Sequence, residues 1–110
     1  MNVLVVGGAG YIGSHAVRLL MDAGHQVWVF DNLSRGHRGA VPAGLLVEGD
    51  LADRTKVIAT LREKEIDAVM HFAAFALVNE SVNDPAIYYR NNVIAAIELL
   101  DAMREADVKK

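Results

Sequence analysis

MNVLVVGGAGYIG, residues 1–13, decides the fold. Val3, Leu4, Val5 and Val6 make a continuous apolar run that passes directly into glycines at positions 7, 10 and 13. A parallel strand covered on both faces has no polar side to show, so it reads as an unbroken β-branched run, and this one is too short to span a membrane. Glycine after such a strand lets the backbone turn sharply and lets a ligand approach with no Cβ in the way. A helix following the turn aims its unbonded N–H groups there, so an anion, most simply a diphosphate, is the expected occupant. Two glycine registers fit: Gly8, Gly10 and Gly13 match G-x-G-x-x-G, while Gly7, Gly10 and Gly13 match G-x-x-G-x-x-G. The plainer alternative is a turn whose glycines only let helix and strand pack closely; a flanking strand, a helix and a later acidic residue argue for the ligand.

All three follow. Ile12, Ala16, Leu19, Leu20 and Ala23 recur at helical spacing, and Gly24 supplies a helix stop. Gln26 to Phe30 reads as a second strand with Asp31 at its carboxyl end, eighteen positions after Gly13. An acid about 20 residues beyond the glycines is where dinucleotide-binding folds hold the adenosine ribose. A carboxylate there accepts from both ribose hydroxyls and repels a 2′-phosphate, which favours NAD over NADP. Arg35 and Arg38 nearby are cations that could receive that phosphate instead, and Asp31 could also serve as a turn former before Asn32.

Residues 32–43, NLSRGHRGAVPA, form a loop rich in turn formers. Asn32, Leu33, Ser34, Arg35 and Gly36 are placed along the adenosine end of a cofactor, whereas His37 and Arg38 read better as a solvated connection. Leu45 to Val47 form a third strand ending in Glu48-Gly49-Asp50, and Asp53 suits the N-cap of a helix over Arg54 to Lys64 that buries Val57, Ile58 and Leu61. Ala68 to Phe72 is a fourth strand, and Ala73 and Ala74 after it leave room for a flat ligand. His71 on that strand reads as a satisfied core histidine in preference to an acid or base. Asp84 and Pro85 open a last helix, with Ile87, Asn91, Ile94, Ala95, Leu99, Ala102 and Met103 on or near one face. Asn91 is polar on an apolar stripe, so it either faces solvent or bonds a ligand.

Strands and helices alternate throughout, which gives an α/β class: a partial doubly wound (Rossmann) parallel sheet, strand order 3-2-1-4, helices on both faces. The crevice opens between strands 1 and 4, where the order reverses, so Gly7 to Gly13 should meet Phe72 to Ala74 there.

Composition limits the alternatives. The chain has 110 residues, enough for one domain, and 53% hydrophobic against 23% charged residues is a globular balance. A net charge of -3 gives no basic footprint for nucleic acid. With no cysteine there is neither a disulfide framework nor a thiol nucleophile, and no His, Asp and Glu stand at metal-ligand spacing. No leader or membrane span is read, so a cytoplasmic setting is expected.

With Gly7 to Gly13, Asp31-Asn32-Leu33-Ser34, Gly49-Asp50-Leu51, His71 to Ala74 and Tyr88 to Asn92 in hand, the chain closely resembles the amino-terminal part of UDP-glucose 4-epimerases, members of the extended short-chain dehydrogenase/reductase proteins. The resemblance covers essentially all 110 residues, Val78, Glu80, Ser81 and Pro85 included. It implies NAD as cofactor, with the backbone at Tyr11 and Ile12 on the diphosphate, Asp31 on the ribose, and Asp50 and Leu51 on the adenine. Phe72, Ala73 and Ala74 would line the cofactor's path, and Asn91 would bond near its ribose and nicotinamide half. Ala76 stands where some relatives have lysine, and Asn79 where glycine is usual.

The same resemblance implies a catalytic Tyr-x-x-x-Lys pair, which this chain lacks: His15 follows Tyr11 at the fourth position, Asn92 follows Tyr88 and Val93 follows Tyr89. The expectation is therefore a truncated dinucleotide-binding domain over residues 1–110, the cofactor part of an epimerase-like enzyme, with no catalytic residue of its own. Other sugar-nucleotide enzymes, dehydratases and decarboxylases, share much of this half. A self-associating structural fragment is the alternative from another class. A homo-oligomer is expected in either case, through a bare outer edge of the fourth strand or through the last helix.

Overall fold

The computed structural model describes residues 1–34, 36–73, 83, 85, 86 and 90–110. In chain order the described elements are β1 (Asn2–Val6), α1 (Tyr11–Asp22), β2 (Gln26–Asp31), a 3-10 turn (Arg38–Ala40), β3 (Leu46–Glu48), α2 (Arg54–Glu63), β4 (Ala68–His71), a π-helical turn (Arg90–Ile94) and α3 (Ala95–Glu105). The strands form one parallel sheet in the order β3-β2-β1-β4, as expected from the alternation.

β1 is central, and its side chains serve two cores. Val3 and Val5 point to one face, where they join Val17 of α1 with Val27 and Val29 of β2. Leu4 and Val6 point to the other, joining Phe30, Val57 and Leu61 of α2, and Leu99 and Ala102 of α3. Side chains alternate across a strand, so helices on both faces require Val3 to Val6 all to be apolar. Each such side chain contributes about 1.5–3 kcal/mol by leaving water.

The helix ends follow local chemistry. Asp53 caps α2, its carboxylate accepting from the Lys56 amide at 3.2 Å. α1 closes with the Gly24 amide donating to the Met21 carbonyl at 3.0 Å, and Gly24 has φ +92°, a left-handed conformation that glycine adopts without strain.

Four expectations change. In α1 the buried residues are Gly13 and Val17, whereas Ile12 is 66% and Leu19 70% exposed. Leu20 packs against the core from an intermediate position, so the inward face is rotated from the one the apolar periodicity suggested. Close approach at Gly13 sets that rotation: a Cβ there would stand 2.2 Å from the Gly7 carbonyl oxygen. On the last helix Leu99 and Ala102 are buried, and Ala95 and Met103 pack against them, but Ile94 is exposed. His71, at the end of β4, is exposed and is not a core histidine. Finally, the outer edge of β4 is not wholly bare, because the Val69 amide donates to the Lys110 carbonyl at 2.9 Å. The expectations for Asp84 as a cap, for Ile87, and for Ala76, Val78, Asn79, Glu80, Ser81, Tyr88 and Tyr89 lie outside the described residues.

Candidate functional site

The carboxyl ends of the strands enclose a cleft of about 540 Å³, part of it open to solvent. It lies at the β1–β4 reversal and extends over the ends of β2 and β3. Of the residues singled out in the sequence, Gly7, Gly10, Asp31, Asn32, Ser34, Gly36, Asp50, Leu51, Phe72 and Ala73 line it.

The three glycines of the turn have three separate physical reasons. Gly7 has φ +81°, and a Cβ on it would stand 2.7 Å from the Ala73 nitrogen, so the turn both needs the left-handed region and passes hard against the end of β4. Gly13 lets α1 sit on the Gly7 carbonyl. Gly10 has extended backbone (φ -79°, ψ 178°), and a Cβ there would meet only the Gly7 oxygen, at an ordinary 3.4 Å. Neither backbone strain nor internal crowding demands glycine at position 10. It lines the cleft, so a side chain there would occupy ligand space. Gly7 and Gly10 line the cleft, whereas Gly13 packs against the Gly7 carbonyl and Gly8 against Val29.

Gly10 is also the N-cap of α1, with no side-chain cap and no acidic residue in the first turn. The amides of Tyr11, Ile12 and Gly13 find no acceptor among the described residues, whereas Ser14 N–H already donates to the Gly10 carbonyl at 2.9 Å. Unbonded amides at the positive end of a helix dipole suit a diphosphate. The Tyr11 side chain is 82% exposed and lies edge-on to His15.

Asp31 is 8% exposed at the end of β2. Its Oδ2 accepts from the Ala9 amide at 3.0 Å and its Oδ1 from the Leu33 amide at 2.7 Å. Leu33 has φ +63°, a conformation that a bulky residue adopts at a cost and that brings its N–H onto the carboxylate. Each carboxylate oxygen keeps a further lone pair for a ligand hydroxyl. Beyond Asp31 the loop folds back over the glycine turn: the His37 amide donates to the Ala9 carbonyl at 3.1 Å, and a Cβ on Gly36 would collide with Ala9 at 2.6 Å.

The far wall comes from the β3–α2 connection. Gly49 N–H donates to the Asp31 carbonyl at 3.0 Å, which keeps the ends of β2 and β3 together. Asp50 bonds the Ala52 amide at 2.9 Å through Oδ1, and Leu51 is buried beneath it. Tyr11, Ile12, Gly13 and Leu33 are not part of the lining. Arg35 and Ala74 lie outside the described residues; Asn91 sits in the π-helical turn, and its side chain likewise lies outside what the structure describes. Val6, Phe30, Gly49 and Ala95 line the cleft without having been singled out. Phe30 and Gly49 could have been found, since each adjoins a chosen acid, but Ala95 carries no sequence signal beyond being small.

Among the described residues no group of His, Cys, Asp and Glu could hold a metal ion, and no helix is long and apolar enough to cross a membrane.

The sequence and the fold are similar to those of known proteins. A UDP-glucose 4-epimerase of Lactobacillus helveticus is 56% identical over 110 residues, which are 99% of this chain and 33% of that protein. The crystal structure of UDP-glucose 4-epimerase from Brucella ovis in complex with NAD superposes with a TM-score of 0.95 at 53% identity, over 98% of this chain and 33% of that one. The enzyme from Thermus thermophilus, also solved in complex with NAD, gives a TM-score of 0.94 at 43% identity, over 99% of this chain and 35% of that one. The chain thus spans about a third of the length of these relatives. The NAD dependent epimerase/dehydratase family matches over residues 3–110, so the chain belongs to that family.

Proposed function

We propose that this chain binds NAD in the cleft between β1 and β4 and supplies the cofactor-holding part of a UDP-glucose 4-epimerase. The observation that carries the reading is the pairing of a buried, backbone-anchored Asp31 carboxylate with a turn whose Gly10 leaves the cleft open beneath unbonded helix amides. Asp31 would accept the adenosine ribose hydroxyls, the amides of Tyr11 and Ile12 would hold the diphosphate, and Asp50 and Leu51 would border the adenine. Phe72 and Ala73 would line the path toward the nicotinamide. When bound, NAD supplies a hydride acceptor for a sugar carbon. This chain's contribution is to bind and orient it, since none of its tyrosines stands in a Tyr-x-x-x-Lys pair.

Calorimetric titration with NAD tests the reading directly. Saturable binding that is lost in Asp31→Ala is expected; no binding at millimolar NAD overturns it.

A homo-oligomer in a cytoplasmic setting accompanies this proposal. The exposed Val93, Ile94, Ile97 and Leu100 on and before α3 favour association through that helix, and the Lys110 contact on β4 makes the strand edge the lesser route. A monomeric mass by light scattering at high concentration would exclude it.

A further inference from the structure

The sequence places cations, Arg35 and Arg38, beside an acid that should repel a 2′-phosphate, and the described residues show what becomes of the second of them. Arg38 donates from its guanidinium to the Glu48 carboxylate. Glu48 is paired in register with Asp31 across β2 and β3, and the next residue, Gly49, lines the cleft. Arg38 follows two residues after Gly36, which lines the cleft as well. The ion pair therefore stands at the rim of the cleft on its Asp31 side, the side to which a ribose held by Asp31 would turn its 2′ position. Lys56 reaches the same rim, where its ammonium donates to the Glu48 backbone carbonyl, and among the described residues Glu48 is the acid paired with Arg38.

We infer that Glu48 is a specificity-determining residue: it occupies the Arg38 guanidinium, so that this cation is withheld from a cofactor carrying a 2′-phosphate where Asp31 holds the ribose. This rests on the proposed NAD site. Discrimination then comes from two acids in one register pair. Asp31 recognises the diol, and Glu48 withholds the phosphate's partner. Both members of the ion pair are more than half exposed, so the effect is modest and sensitive to salt.

The test is equilibrium binding of NAD and NADP to the wild type and to Glu48→Gln, Arg38→Ala and the double variant, with Arg35 and Lys56 retained throughout. Glu48→Gln should tighten NADP about threefold to fivefold at low ionic strength and leave NAD within about twofold. The gain should shrink at about 0.5 M salt, and it should disappear in the double variant. An unchanged ratio of NADP to NAD affinity in Glu48→Gln overturns the inference, as does a gain that survives Arg38→Ala. If the wild type binds NAD and the ratio does not move, only this inference falls; if it binds neither dinucleotide, the proposed cofactor site falls with it.

Discussion

The Asp31 carboxylate and the Ala9 amide are joined at 3.0 Å across 22 positions of sequence. The residue that would recognise the ribose is thereby fastened to the turn that would hold the diphosphate, and Leu33 N–H secures the other oxygen at 2.7 Å. A carboxylate held by two backbone donors needs no reorganisation when a ligand arrives, so binding loses less entropy to ordering the site.

Asp31→Ala should therefore damage both fold and site. Two amides lose a charged acceptor, and together this costs about 2–4 kcal/mol of stability. Asp31→Asn keeps one acceptor oxygen but turns an NH2 donor toward the other amide, so it should recover only part of that stability, and it should weaken NAD binding about tenfold or more through loss of the second acceptor. Urea unfolding and calorimetry on the same samples separate the two effects.

Much of this was legible in the sequence because strand, turn and acid each carry their own signal. An apolar run on both faces, φ-demanding glycine and an acid at a strand end all act locally. What was not legible depended on rotation and on edges. Ile12 and Leu19 have the spacing of a core face, yet a hydrophobic period cannot choose between two apolar stripes. The Gly13 contact with the Gly7 carbonyl chooses, and that distance exists only after folding. His71 sits in an apolar strand sequence, but its register opposite Val6 puts it at the last position of an outer strand, and it is exposed. Ala95 borders the cleft only because α3 is seated over Leu4 and Leu99 joins that core.

His71 gives the chain a pH dependence with a definite sign. Partial burial lowers its imidazole pKa below the ordinary 6.5. The unfolded chain then takes up a proton before the folded one, so stability falls as pH drops from about 6.5 through the folded value and levels off below it. Histidine NMR titration should find the His71 midpoint below 6.5, and Glu or Asp titrations aside, His71→Gln should flatten the stability profile in that interval. A midpoint above the ordinary value would reverse the prediction.

Adjacent leucines on α3 should respond very differently to truncation. Leu99 is 3% exposed in the core with Leu4, Val57 and Leu61, so Leu99→Ala should cost about 3 kcal/mol. Leu100 is 63% exposed, and Leu100→Ala should stay within about 0.5 kcal/mol. Denaturant midpoints at constant slope check both; equal effects would mean that α3 is rotated from the orientation described.

The glycine turn allows its structural and ligand-binding roles to be separated. Gly13→Ala forces a methyl group to within 2.2 Å of the Gly7 oxygen at a buried position in the first turn of α1, so α1 must lift from the turn. Destabilisation of about 2 kcal/mol or more is expected, with NAD binding falling alongside. Gly10→Ala meets only the Gly7 oxygen at 3.4 Å and has backbone angles open to any residue. Its stability cost should not exceed about 1 kcal/mol, the penalty of alanine at an N-cap. Its methyl group projects into the cleft all the same, and NAD affinity should fall at least about tenfold from a folded protein. Far-ultraviolet circular dichroism and calorimetry together decide the matter: a Gly10→Ala protein that is folded and binds NAD as the wild type does would show that the cleft beside Gly10 is not where the diphosphate lies.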